Sequence, residues 1–197
     1  MGTTNILIVG VGGQGIVLAG DVIGMAARLA GLEAKASEVH GMSQRGGSVV
    51  SEVRFGEQVF SPLIPPPGAD FLLAFEMLEG LRGLARLRPG GTAIVNQQQI
   101  IPSSVTYGNA SYPEDAGEQI RRQCPSAIQF DALAMAIELG NARTVNSILM
   151  GVLARQCSLP MECWEGAIKQ TVKPRFVELN LTAFQRGYAL AMAETRS

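Results

Sequence analysis

A chain of 197 residues, 47% of them hydrophobic and only 17% charged, can bury a sizeable core without support from disulfides or metal. Its 16 basic and 17 acidic residues are interspersed and leave a formal charge of −1, which excludes the basic footprint that nucleic acid or an anionic membrane would select. The three cysteines, Cys124, Cys157 and Cys163, form no CxxC pair and no metal-ligand spacing, so they read as small hydrophobes in a reducing cytoplasm, with no metal site expected.

Ile6 to Val9 is an apolar, β-branched run ending in Gly10, followed by a glycine cluster and a helix-like stretch from Ile16 to Leu29. That is a strand, a tight turn and a helix rather than a signal peptide, because no basic leader precedes it and glycines break it. Gly31 closes the helix, and Glu33 to Val39 predicts a second strand parallel to the first. Ser48 to Phe55 then carries Val49, Val53 and Phe55 on one face, and Gln58 to Phe60 follows after Gly56-Glu57, a spacing that predicts an antiparallel hairpin between these two runs. Pro65-Pro66-Pro67 makes a stiff connector.

Asp70 to Phe75 reads as a buried strand, Glu76 to Leu87 as a helix, Pro89-Gly90-Gly91 as a turn and Thr92 to Asn96 as another buried strand. After a polar stretch, Glu114 to Gln123 predicts a short helix and Ala127 to Phe130 a last strand, with Asp131 capping a helix that Gly140 ends. Beyond it, Val145, Ile148, Leu149, Val152 and Leu153 mark one apolar helical face and Val177, Leu181, Phe184, Tyr188 and Ala191 another, as core or subunit contact. The expected fold is α/β: a Rossmann-like, mostly parallel sheet with an inserted β-hairpin and a helical C-terminal region, in a single domain over residues 1–197. No run reaches membrane-spanning length, and the apolar excess leaves surface to meet a partner.

Two segments could carry chemistry. Gly10-Val11-Gly12-Gly13-Gln14-Gly15 fits G-x-G-x-x-G after a strand and before a helix. Gly10, Gly12, Gly13, Gln14 and Gly15 are therefore candidates to cradle a phosphate on helix amides, while the same glycines could serve only to let the turn fold tightly. A nicotinamide ligand would also need an acid at the end of the second strand, for which Glu33 and Glu38 stand too early and somewhat late. The other segment runs from Ser37 to Ser48 and gathers His40, Gly41, Met42, Ser43, Gln44, Arg45, Gly46 and Gly47 at a strand's carboxyl end, the edge where open α/β sheets bind ligands. His40, the only histidine, reads first as a hydrogen-bonded loop former and second as an acid or base. Arg45 could fork onto a carboxylate or phosphate, or pair with Glu38 or Glu52.

On Ile8 to Gly15, on Ser37 to Ser48 and on Val177 to Phe184, the sequence resembles the gamma-domain family of pyruvate and other 2-oxoacid ferredoxin oxidoreductases, and within it the small (beta) subunits of the indolepyruvate branch. The resemblance implies an accessory subunit, inactive alone, of a cytoplasmic complex that decarboxylates arylpyruvates to an acyl-CoA. It places thiamine diphosphate, magnesium and the iron–sulfur clusters on a large (alpha) subunit, with CoA as co-substrate, ferredoxin as electron acceptor and no cofactor tightly bound in this chain. It also sets the His40–Gly47 loop against the partner or the substrate. The competing readings are a free-standing NAD- or flavin-nucleotide-binding oxidoreductase using the Gly10–Gly15 loop, and a purely structural subunit.

Overall fold

The computed structural model describes residues 2–40, 47–101 and 111–194. Six strands, β1 (Thr4–Val11), β2 (Glu33–His40), β3 (Ser48–Gly56), β4 (Ala69–Ala74), β5 (Leu87–Asn96) and β6 (Ile128–Phe130), form one sheet in the order β2-β3-β1-β4-β5-β6. The pairings of β1 with β4, β4 with β5 and β5 with β6 are parallel, whereas β3 runs antiparallel to both of its neighbours. The mostly parallel sheet, the inserted hairpin and the helical C-terminal region are all present.

The hairpin, however, has different arms from those the spacing suggests. It pairs β2 with β3, joined through residues 41–47, and residues 58–60 are not a strand. The reason is that β3 lies between β2 and β1, so both of its edges are already hydrogen-bonded and no open edge is left for a further arm. Residues 57–68 instead cross the sheet as a strap. Arg54 donates to the carbonyls of Ser61 and Leu63 at 2.9 and 3.0 Å, the Val59 amide donates to the Glu33 carboxylate at 2.8 Å, and the Ile64 amide donates to buried Glu52 at 2.5 Å. The second strand is thus co-directional with the first but not beside it.

Helices cover both faces, and β1 shows why its run is continuously apolar: Ile6 and Ile8 point into one core, Leu7 and Val9 into the other. The first face carries α1 (Ile16–Leu29), α5 (Val145–Gln156), α6 (Met161–Thr171) and α7 (Val177–Glu194); the second carries α2 (Met77–Gly83) and α3 (Ala116–Gln123). Helix α4 (Ala132–Glu138) follows β6, with the Asp131 carboxylate accepting from the Ala134 amide at 2.8 Å, as its position before an apolar run suggests. The helix expected from Glu76 to Leu87 ends at Gly83 and continues as a 3-10 turn over Leu84–Arg86, and Pro89-Gly90-Gly91 lies within β5 rather than in a separate turn. Among the described residues no helix is long and apolar enough to cross a membrane.

The apolar stripes of α5 and α7 face each other and close at two glycines. A β-carbon on Gly151 would stand 2.0 Å from the Phe184 carbonyl oxygen, and one on Gly187 would stand 2.0 Å from that of Ile148. Each helix therefore rests on the backbone of the other, with Trp164 and Phe184 stacked beside the crossing at 5.9 Å. Gly151→Ala and Gly187→Ala should each destabilise the fold by at least the roughly 1–3 kcal/mol typical of overpacking. Gly166→Ala, whose methyl would meet only the flexible end of Leu29 at 3.1 Å, should change stability far less. Urea unfolding of the three variants checks this, and equal midpoints would refute the backbone contact.

Candidate functional site

At the carboxyl ends of β1, β4 and β5 the apolar strands give way to polar side chains. Gly10 is closely enclosed there: a β-carbon would meet Gln14, Phe75 and Ile16 at 2.7, 2.8 and 2.9 Å. Gly13 and Gly15 take φ of 100° and 83°, left-handed values that let the chain turn from β1 into α1. The Gln14 side chain folds back over this turn. Its Oε1 accepts from the Val11 amide at 2.8 Å, and its Nε2 donates to the Phe75 carbonyl at 3.0 Å and to Gln98 at 3.1 Å. Gln14 thus ties β1 to β4 with its own amide.

Asn96 and Gln98 extend this polar ring. Asn96 donates to the Phe75 carbonyl at 3.1 Å and accepts from the Ala132 amide at 3.0 Å, joining β5 to β4 and to the start of α4. Beside them Glu76, only 1% exposed, caps α2 and gathers three donors: the Glu79 amide at 2.9 Å, the Ile100 amide at 3.1 Å and the Tyr112 hydroxyl at 2.7 Å. Burial of the Tyr112 ring and its bond to Glu76 push the phenol well above the ordinary tyrosine range. Glu79 in turn accepts from Ser48 at 2.6 Å and from Arg82 at 2.7 Å.

Ser48 opens β3, and the residue before it, Gly47, accepts from the Gly12 amide at 2.9 Å. The two glycine-rich segments singled out in the sequence therefore meet at the same edge of the sheet. His40 ends β2 opposite Val49, while Gly41, Met42, Ser43, Gln44, Arg45 and Gly46 lie outside the described residues. Glu52, one carboxylate open to Arg45 in the sequence, is held by Arg86 at 2.5 Å and by the Ile64 amide.

The acids considered for a nicotinamide ribose are not placed for it. β3 separates β2 from β1, so Glu38 stands one strand away from the glycine turn, and Glu33 lies at the opposite end of β2. The Val59 amide, with Lys35 at 3.3 Å, holds the Glu33 carboxyl below the usual carboxylate range. The cysteines do not fit an iron–sulfur cluster either: Cys124 packs on the α2 and α3 face and Cys157 on the opposite one.

Several residues of this edge escape the sequence reading. Asn96 to Gln99 is a polar run directly after a buried strand, a readable signal that something must receive those amides. Glu76 and Tyr112 give no such signal, because only folding brings them to the edge.

Similarity to known proteins covers the same span. A family model described as pyruvate ferredoxin/flavodoxin oxidoreductase matches residues 5–190. Indolepyruvate oxidoreductase subunit IorB of Pyrococcus horikoshii is 41% identical over 194 residues, covering 95% of both chains. Its counterpart of the same name in Archaeoglobus fulgidus is 42% identical over 193 residues, covering 96% of both. Among solved structures, the gamma subunit of a keto/oxoacid ferredoxin oxidoreductase from Geobacter sulfurreducens superposes with a TM-score of 0.72 at 25% identity, covering 96% of this chain and 99% of that one.

The Tyr112–Glu76 bond makes stability depend on alkaline pH with a defined sign. The folded state keeps the phenol protonated while the unfolded chain releases that proton near the ordinary value of 10.0, so above that pH the unfolded state binds fewer protons and stability falls. Tyr112→Phe should be less stable than the native chain at neutral pH by about 1 kcal/mol, for the donor lost to a buried carboxylate. It should also lose less stability between pH 9 and 11. Parallel stability curves in urea unfolding over that range would exclude the bond.

Proposed function

The chain belongs to the pyruvate ferredoxin/flavodoxin oxidoreductase family, and from that membership we propose that it is the small subunit of an indolepyruvate-type, arylpyruvate-oxidising ferredoxin oxidoreductase. The observation that carries the reading is the 41–42% identity to subunits of that name across nearly the whole of both chains, so that the entire domain and not one motif supports it. We read residues 1–197 as a single gamma-type domain acting in the cytoplasm beside a large subunit.

In this reading the large subunit holds thiamine diphosphate with magnesium and the iron–sulfur clusters, which supply decarboxylation and electron transfer toward ferredoxin, while CoA accepts the acyl group. The chain's own contribution is positional. β2 ends at His40 and β3 begins at Ser48 on the same edge of the sheet, where the Gly12–Gly47 and Ser48–Glu79 bonds fix the start of β3. Arg45 would orient a carboxylate or phosphate with its planar fork, and His40 and Gln44 would add neutral hydrogen bonds. A free-standing nicotinamide enzyme is disfavoured by the strand inserted between β1 and β2, which moves the ribose-binding acid of that fold out of reach.

Reconstitution tests this. The isolated chain should be colourless and unable to oxidise 2-oxoacids, and addition of the large subunit should restore CoA-dependent ferredoxin reduction with an arylpyruvate; bound cluster or unaided oxidation would reject the accessory role. In this reading Arg45 serves the partner or substrate and not the fold, so Arg45→Ala should leave the melting temperature of the isolated chain nearly unchanged. In the complex it should weaken assembly or transition-state binding by about 2–5 kcal/mol where a buried charge partner is stranded. Normal assembly and turnover would make the loop a connector and the chain a purely structural subunit.

A further inference from the structure

At the far end of α5 from the glycine turn, the chain leaves the helix at Gln156 and reaches α6 through residues 157–160. A hollow of about 120 Å³ lies in this corner, and α5, α6 and α7 each contribute to its lining, through Arg155, Trp164 and Tyr188. A water occupies roughly 30 Å³ in the liquid, so the hollow has room for a few waters or for one small polyatomic group.

Trp164, the only tryptophan of the sequence, lines this hollow and is fully buried. Its Nε1 is closed off from solvent and has no hydrogen-bond partner among the described residues. The Phe184 ring, stacked 5.9 Å away, holds the indole in place, so the donor stays where the packing of α6 on α7 puts it. A buried N–H in this state has given up the acceptor it would find in water, which favours an acceptor supplied from outside the chain.

The rest of the lining points to the charge of that acceptor. No aspartate or glutamate shares the hollow with Arg155, whose guanidinium lies 5.9 Å from the centroid of the Tyr188 ring and is oriented by it. Ser158 and Tyr188 add hydroxyl groups. The Cys157 thiol brings no competing charge: burial pushes it above the ordinary thiol range, although the amides of Leu159 and Ser158 donate to the sulfur. Asp70, whose charge reaches this thiol, is itself engaged by the Arg88 guanidinium at 2.6 Å and by the Asn5 amide at 2.7 Å.

The hollow thus offers one cation, one buried N–H and two hydroxyls. Because α5 ends here, its negative carboxyl end faces the same corner and limits the negative charge that can be held. A carboxylate matches this balance, since one guanidinium meets its single charge and its two oxygens can accept from the fork and from the indole together. A phosphate dianion would leave one charge unmatched against the carbonyl end of α5.

We propose that this hollow binds a small monocarboxylate, one oxygen accepting from Trp164 Nε1 and the other from Arg155, with Ser158 and Tyr188 beside them. None of these residues is used by the oxidoreductase reading, and the site stands independently of it.

A single tryptophan gives the 15N-labelled full chain a single indole N–H resonance, which reports on this donor directly. Titration with sodium acetate, at an ionic strength held constant with sodium chloride, should move that resonance downfield along a saturating curve. Sodium phosphate should bind more weakly by about tenfold or more. Arg155→Met, at an exposed position and of similar length, should weaken acetate binding by about tenfold or more while leaving the urea midpoint nearly unchanged. An indole resonance that ignores acetate, a drift that chloride alone reproduces, phosphate binding as tight as acetate, or unchanged affinity in Arg155→Met would each overturn the site. The titration needs no partner subunit, so its failure leaves the oxidoreductase assignment standing, and failed reconstitution leaves the carboxylate site standing.

Discussion

The place of β3 beside β1 governs most of what is distinctive here. An antiparallel strand in that slot occupies one edge of β1 while β4 takes the other, so β1 is buried on both faces and both edges and its run from Ile6 to Val11 is apolar throughout. The same placement pushes β2 to the outer edge of the sheet and removes the acid that a nicotinamide-binding fold keeps next to its glycine turn. It also brings the end of the His40–Gly47 segment against the glycine turn, through the Gly12–Gly47 bond. One strand insertion therefore converts a dinucleotide-type opening into a surface where two glycine-rich loops share an edge.

That edge is held by polar side chains that satisfy backbone groups the strands can no longer pair. Gln14, Asn96 and Gln98 link the ends of β1, β4 and β5, and Glu76 collects donors from three different segments. A buried amide or carboxylate is tolerated only when its partners are present, so these residues fix the relative position of the loops as firmly as the apolar core fixes the strands. The result is a polar rim in which side chains tie the ends of β1, β4 and β5 to one another.

The C-terminal helices contribute by position rather than by chemistry. The reciprocal glycine contacts bring α5 onto the backbone of α7, and α5 in turn delivers Asn146 to the start of α1. The Ser147–Asn180 bond, 2.6 Å and buried, pins the same end of α5 to α7. Packing at Gly151 and the Ser147–Asn180 bond thereby fix the start of the same helix.

Local signals in the sequence determined a good deal. The alternation of apolar runs with glycine turns specified the strand–turn–helix opening, because the left-handed Gly13 and Gly15 and the enclosed Gly10 admit few other residues. The Asp131 cap, the Gly140 stop and the two apolar helical stripes were legible for the same reason: each depends on neighbours within a few positions. The family was legible too, since the Gly10–Gly15 and Ser37–Ser48 segments are long and specific. What only the tertiary structure decided was which strand lies beside which, and so which polar groups meet. Residues 58–60 have the pattern of a hairpin arm, yet they cannot pair, because the edge they would need is taken by a strand some twenty residues earlier in the chain. Asn146 reads as an interruption in an apolar helix face, and its approach to the Gly15 turn appears only when α5 meets α1, more than a hundred residues away in sequence. Sequence carries period and propensity, which are local; edge occupancy and the satisfaction of buried polar groups are properties of the assembled sheet and its helices.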